Sequence, residues 1–365
     1  MGILEVVQSL DKGGRTVRFC DTVEGLRSQG QTVTAVSLKA PTVNIKLDDV
    51  VVLPRKEGLN WRLFFQLARL IRKRRISLIH AHCELSQFYA GVVGRLLGVP
   101  VVGTFHRSDV SRYRPSALNW VLKRCLSRFI AVSSERMALI QSQLDLPPDQ
   151  CAVVHGGTAV GPEPDGEQIS AIRQQLSLNQ DQFVILSLGH LGAIKGHQDS
   201  IQALALAIER GSCAHLYIAG EGSSEEQQRL LELTSVLGLN TRVSFLGQLN
   251  NAPQWLTACD IFLLPSREEA FGLVFIEAGA KAKPVIATHV GGIPDIVMDQ
   301  QTGILVPPAS PERIAEAIVK LENDAELCQR LGAAAYQRVA TRFSRQHMVS
   351  NYLEQFQQLQ HEATP

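Results

Sequence analysis

The feature that most restricts the fold of this chain is a recurring order of three parts. A short, nearly continuous apolar run is followed by a loop, often carrying glycine, and then by a stretch of helical composition. The apolar runs fall at residues 3–7, 32–38, 50–53, 76–80, 101–105, 129–132 and 152–154, and again at 183–187, 215–219, 243–246, 261–264, 284–288 and 303–307. Runs without polar alternation read as strands buried on both faces, which is the pattern of parallel sheets covered by helices. Helical stretches at 16–30, 61–74, 86–97, 224–237, 253–258, 311–323 and 326–340 separate them, so the order implies right-handed crossovers within parallel sheets. In such sheets functional groups collect at the carboxyl ends of the strands. At 365 residues the chain is too long for one ordinary core, and Gly161-Pro162-Glu163-Pro164-Asp165-Gly166 has the composition of a linker. The expectation is an α/β protein with domains at 1–162 and 167–343 and a terminal segment, 344–365, carrying a polar helix.

Charge is divided unevenly. Residues 1–160 hold 22 Lys plus Arg against 12 Asp plus Glu, whereas residues 161–365 hold 14 against 23. The basic half therefore faces something anionic. Its basic residues are not interleaved with the aromatic and glycine signatures of nucleic-acid modules, so nucleic acid is not expected. They gather instead at Arg69, Arg72, Lys73, Arg74 and Arg75, and at Arg107, Arg112, Arg114, Lys123, Arg124 and Arg128. The competing reading is a solvated face; the functional one is an anionic membrane surface or a charged glycolipid. No apolar run approaches the roughly 20 residues needed to span a bilayer. The N-terminus reads as a first buried strand, and the seven scattered cysteines form no Cys-x-x-Cys pair. Both point to a cytoplasmic protein with reduced thiols, peripheral at most.

One stretch carries the densest chemistry. After the run at 261–264 comes Pro265-Ser266-Arg267-Glu268-Glu269-Ala270-Phe271-Gly272-Leu273-Val274-Phe275-Ile276-Glu277, in which a loop bearing Glu269 should pass to a helix near Gly272. Free amides at such a helix start attract anions, and an ionised carboxylate accepts two hydrogen bonds from a vicinal diol. A ligand with phosphate and hydroxyls, such as a sugar nucleotide, satisfies both. By itself, a solvated helix start would be the commoner explanation of two glutamates. Gly13 and Gly14 after the first run repeat the strand, glycine, helix geometry, although Gly-Gly is more often a tight turn. His80, His82 and His106 occupy strand ends; without helical ligand spacing they read as hydrogen-bonded residues rather than a metal site, and no metal is expected.

The Glu, seven residues, Glu arrangement of Glu269 and Glu277, with Phe271-Gly272 between, resembles the motif of the retaining glycosyltransferases of the large glycogen-synthase-like and mannosyltransferase-like family, glycosyl transferases group 1. The resemblance spans nearly the whole chain and is clearest at 181–308. It implies two Rossmann-like domains facing across a cleft (GT-B), with the last helix bracing the first domain. It also implies roles. Gly13 and Gly14 fall on the loop that meets acceptor and donor phosphate, and His106, in Thr104-Phe105-His106, on the histidine that faces the sugar. Lys195 matches the lysine that holds the donor diphosphate. His190 stands where the family has arginine, a weaker partner because guanidinium is always charged and grips two oxygens. Gly220, Gly247 and Gln248 match positions around base and diphosphate, the backbone from Glu269 through Ala270, Phe271, Gly272 and Leu273 the diphosphate, and Glu277 the ribose diol. His155-Gly156-Gly157-Thr158 departs from the family's Asn-Gly-Val/Ile-Asp turn.

The function so implied is transfer of a sugar from a nucleotide-sugar donor, UDP favoured, to a lipid-linked or polysaccharide acceptor in cell-envelope glycan assembly, with His106, Glu269 and Lys195 catalytic. The donor is a substrate, and no separate cofactor is expected. Two alternatives remain: a nucleotide-sugar epimerase of the same architecture, and a non-catalytic sugar-nucleotide-binding partner.

Overall fold

The computed structural model describes residues 1–362 apart from positions 12, 46, 48, 56–57 and 107–115. The chain divides into two compact units, Met1–Gly157 with Arg345–Pro365, and Thr158–Ser344. In the first, β1 (Gly2–Val7), β2 (Thr32–Ser37), β3 (Val51–Val52), β4 (Leu78–His82), β5 (Val101–Phe105), β6 (Arg128–Ala131) and β7 (Cys151–Val153) form one sheet in the order β3-β2-β1-β4-β5-β6-β7. In the second, β8 (Val184–Leu188), β9 (His215–Ala219), β10 (Val243–Gly247), β11 (Ile261–Leu264), β12 (Val285–Thr288) and β13 (Gly303–Val306) are ordered β10-β9-β8-β11-β12-β13. The strand pairs are parallel in both sheets.

The apolar runs explain this arrangement. Ile261, Phe262, Leu263 and Leu264 are all fully buried because β11 lies between β8 and β12 with both faces covered. Burying such side chains contributes about 1.5–3 kcal/mol each. In both sheets the chain builds outward from the first strand in one direction and then crosses to its other side. That reversal leaves a crevice beyond the carboxyl ends of β1 and β4, and another beyond those of β8 and β11.

Strand boundaries depart from expectation where the residues are polar. The run expected at 76–80 forms the strand Leu78–His82, so His80 and His82 both lie within β4 rather than in a loop. The helix Gly166–Gln175 begins inside the expected linker, capped by Asp165, whose side chain accepts from the Gln168 amide.

The terminal helix, Arg345–Glu362, belongs to the first unit. Met348, Val349, Tyr352, Leu353, Phe356 and Leu359 join Phe19, Val23 and Leu26 of helix Gly14–Ser28 in one core. A methyl group at Gly25 would overlap the Val349 side chain, so this residue sets how closely the two helices approach. Arg128 is not part of an exposed basic face. It is buried, and its guanidinium donates to Glu362 at 2.9 Å and to Gln355 at 3.2 Å. Among the described residues, no helix is long and apolar enough to cross a membrane.

Phe356 is fully buried in this contact. Phe356→Ala should lower stability by about 3–5 kcal/mol. Urea unfolding followed by circular dichroism measures it; a loss below about 1 kcal/mol would show that the helix contributes little to the first unit.

Candidate functional site

The second sheet's crevice is built by loops that stand side by side in strand order. The Gly220 amide donates to the Gly247 carbonyl at 2.8 Å, the Gly189 amide to Ala219 at 2.9 Å, and the Leu191 amide to Glu221 at 2.8 Å. Gly189, Gly220 and Gly247 therefore lie together at the ends of β8, β9 and β10. His190, Gly247 and Gln248 are exposed there.

The loops after β8 and β11 are held to one another more tightly. Gly196 has φ +72°, and a side chain on it would overlap the Pro265 carbonyl oxygen. The Arg267 amide donates to Ile194 at 2.7 Å, and its guanidinium grips buried Asp199 through Nη2 at 2.9 Å and Nε at 3.3 Å. Thus fixed, the one-turn segment Ala193–Lys195 directs Lys195 Nζ to Glu269 Oε2 at 2.5 Å, with the two side chains 21% and 11% exposed. Glu269 is held from behind as well. Its carbonyl accepts from the Gly292 amide at 3.0 Å, and Gly291 leaves no room for a side chain against it.

Gly272 takes φ +96° and opens the helix Leu273–Gly279, in which Glu277 is half-buried. That helix is a single short element, so its dipole is modest and charge at the site comes chiefly from side chains. Ala270 and Phe271 are both 5% exposed, and Phe271 packs against Phe343, which leaves their backbone rather than their side chains for a ligand. Below the loop, His197 is 2% exposed with Nδ1 3.2 Å from Ser187 Oγ, and burial depresses its pKa to about 4.

The first sheet's crevice differs in chemistry. Gly13 and Gly14, both exposed, follow β1, and helix Gly14–Ser28 begins there. Between the ends of β1, β4 and β5 the histidines are hydrogen-bonded, as expected, but to one another and to Glu5, a partner the sequence did not single out. Glu5, wholly buried, meets His80 Nδ1 at 3.0 Å and His82 Nε2 at 2.8 Å. The other nitrogen of His80 meets Thr104 Oγ1 at 2.7 Å, and that of His82 meets His106 Nε2 at 3.0 Å. Burial lowers the pKa of His80 to about 3 and of His82 to about 4, and takes His106 well below its ordinary value. Burial also raises Glu5, against the pull of its His82 hydrogen bond. Ligand-type atoms of Glu5, His80 and His82 lie within 4.8 Å of one another. The signal available in the sequence was an acid in an otherwise apolar strand facing a His-x-His strand.

Residues 168–338 match the family model described as glycosyl transferases group 1, and residues 12–160 match that of glycosyltransferase family 4. The chain is a group 1 glycosyltransferase. This glycosyltransferase is 26% identical over 339 residues to alpha-D-kanosaminyltransferase of Streptomyces kanamyceticus, covering 86% of each chain. It is 29% identical over 281 residues to D-inositol 3-phosphate glycosyltransferase of Streptomyces scabiei, covering 71% of this chain and 63% of that protein. Its fold matches that of Anabaena HepE, solved with UDP, with TM-score 0.88, 23% identity and coverage of 98% of this chain and 100% of the other. HepE has also been solved with UDP-glucose. These likenesses make the fold GT-B. Of the residues named from sequence, Gly13, Gly14 and His106 belong to the first unit, and Lys195, His190, Gly220, Gly247, Gln248, Glu269 and Glu277 to the second.

Because His197 stays neutral in the folded chain down to about pH 4 while an unfolded histidine titrates near 6.5, the unfolded state binds the extra proton between them. This contribution to stability is complete above pH 6.5 and is lost as pH falls toward 4. Urea titrations at pH 7.5 and 4.5 should show wild type losing about 2.5 kcal/mol more than His197→Asn. Equal losses in the two proteins would contradict a buried neutral imidazole.

Proposed function

We propose that this glycosyltransferase moves a sugar from a nucleotide-sugar donor, UDP-linked, to a lipid-linked or polysaccharide acceptor of cell-envelope glycan assembly, with retention at the anomeric carbon. The observation that carries the reading is the Lys195–Glu269 pair at the switch point of the second sheet, ringed by glycine loops. Departure of a nucleoside diphosphate builds negative charge on phosphate and positive charge on the sugar ring. Lys195 is a movable cation for the first. Glu269, freed when the diphosphate draws Lys195 away, orients the sugar and stabilises the second. Backbone amides near Gly272 and Leu273 add hydrogen bonds to the diphosphate, with His190 beside them, and Glu277 takes the ribose diol. Within the first unit, Gly13 and Gly14 suit phosphate or acceptor, and His106 suits a sugar hydroxyl. UDP is favoured because the matching HepE structures hold UDP and UDP-glucose.

Lys195→Ala and Glu269→Ala should each reduce transfer about 10²–10³-fold while the fold is unchanged. Glu277→Ala should chiefly raise KM for the donor, and a chelator should leave the wild-type rate intact. Near-normal turnover in both Lys195→Ala and Glu269→Ala would reject the assignment. Formation of a new sugar nucleotide without acceptor would favour the epimerase.

We also propose that the first unit docks on an anionic membrane. Helix Trp61–Arg74 keeps Leu63, Leu67 and Ile71 in the core, while Trp61 and Phe65 stand 67% and 76% exposed and Arg69, Arg72, Lys73 and Arg74 face solvent. Helix Ala117–Cys125, on the same side of the sheet, adds Trp120, 58% exposed, with Arg124 stacked over its ring at 3.8 Å. Aromatic rings beside cations suit a headgroup layer. The second basic group is thinner than the sequence suggests, since Lys123 pairs with Asp145 and Arg128 is buried. Its members Arg107, Arg112 and Arg114 lie outside the described residues. Vesicles of anionic lipid should sediment the wild type at low salt, and Trp61→Ala with Phe65→Ala should weaken binding about tenfold. No sedimentation of wild type would end this reading.

A further inference from the structure

The buried series in the first unit has a direction, and that direction decides which nitrogen of His106 carries its proton. Tautomers follow from the partners a ring must satisfy. The starting point is Arg18, 3% exposed, which can only donate. Its Nε and Nη2 both point to Tyr352 Oη, at 3.1 and 2.8 Å. With its oxygen accepting twice, the Tyr352 hydroxyl donates onward to Thr104 Oγ1, 3.4 Å away. Thr104 in turn donates to His80 Nε2 at 2.7 Å, so His80 carries its proton on Nδ1 and donates to Glu5.

One position in the series stays undecided by this anchor, the contact between Glu5 and His82 Nε2 at 2.8 Å. If Glu5 is a carboxylate it accepts there. His82 then holds its proton on Nε2, its Nδ1 accepts from His106 Nε2 at 3.0 Å, and His106 is left with an unprotonated Nδ1. If Glu5 carries a proton, it donates to His82, both rings reverse, and His106 has its proton on Nδ1. The state of an acid inside the sheet is therefore expressed at a residue of the crevice.

We propose that Glu5 is a positioning residue: ionised, and anchored in polarity by Arg18 through Tyr352, Thr104 and His80, it holds His106 in the Nε2–H tautomer so that Nδ1 accepts a hydrogen bond from a hydroxyl of the bound sugar. The last clause rests on the role given to His106 above; the tautomer does not. The chemistry recognised is a hydroxyl donor, and a group offering only acceptors is refused.

Glu5→Gln gives a determinate outcome. The Arg18 anchor keeps His80 donating to position 5, so the glutamine oxygen must face His80 and its amide must donate to His82. Both rings reverse, and His106 becomes Nδ1–H. Long-range 1H–15N correlation spectra of histidine-labelled protein, with His106 assigned by substitution, read this directly. The wild type at pH 7.5 should show a neutral His106 protonated on Nε2, and folded Glu5→Gln should show it protonated on Nδ1, with kcat/KM for transfer reduced about 10–100-fold. A wild-type His106 protonated on Nδ1, or an unchanged tautomer in folded Glu5→Gln, overturns the proposal. The wild-type spectrum decides by itself if Glu5→Gln does not fold. Reversal in Glu5→Gln together with full activity of His106→Ala would support the relay and remove His106 from the proposed site, so the two readings fail separately.

Discussion

The second unit's site depends on one close approach, that of Gly196 to the Pro265 carbonyl. Two loops leaving adjacent parallel strands diverge unless something holds them, because each must carry its own backbone polar groups to a partner or to water. Here the absence of a side chain lets one loop lie against the other, and the Arg267–Asp199 fork closes the contact from the opposite side. Only with that spacing fixed can a lysine on one loop meet a glutamate on the next. The pair contributes little to stability, since a partly exposed ion pair is worth about 0–1 kcal/mol. Its weakness is what the proposed exchange of carboxylate for diphosphate requires.

The two sheets share a strand order and hence a crevice of the same origin, yet they arm it by opposite means. In the second unit the side chains at the crevice remain partly exposed and keep opposite charges. In the first, Glu5, His80 and His82 have no exposure. Desolvation there keeps the imidazoles neutral across the physiological range, and the one ionised group proposed among them, Glu5, is carried by their hydrogen bonds. A charged contact answers a phosphorylated ligand, whereas a neutral ring with a defined lone pair answers a hydroxyl.

How much of this was legible in the chain follows from what each signal measures. Buried parallel strands lack polar alternation, so apolar runs located nearly all of them; the run at 76–80 slipped because His80 and His82 break the apolar pattern while staying inside the sheet. Glu269, Gly272 and Glu277 could be placed in a loop and a helix from their local order. Glu5 was passed over because its significance is not local: β1 pairs with β4 so that Glu5 stands opposite His80, and only strand order brings them together. Arg128 was assigned to a surface cluster for the same reason. Its partner Glu362 lies at the far end of the chain, and no window of sequence contains both.

Placing a carboxylate and a guanidinium in one core without direct contact is costly unless hydrogen bonds carry each charge. Arg18 and Glu5 meet this requirement through Tyr352, Thr104 and His80, each accepting from one side and donating to the other. Tyr352 comes from the terminal helix, where it is fully buried beside His80, with ring centroids 4.8 Å apart. The helix that completes the apolar core is thus also the element that gives the polar series its direction. Packing and polarity then cannot vary independently: a shift of this helix that moved the Tyr352 hydroxyl would release His80, and with it the state of every ring up to His106.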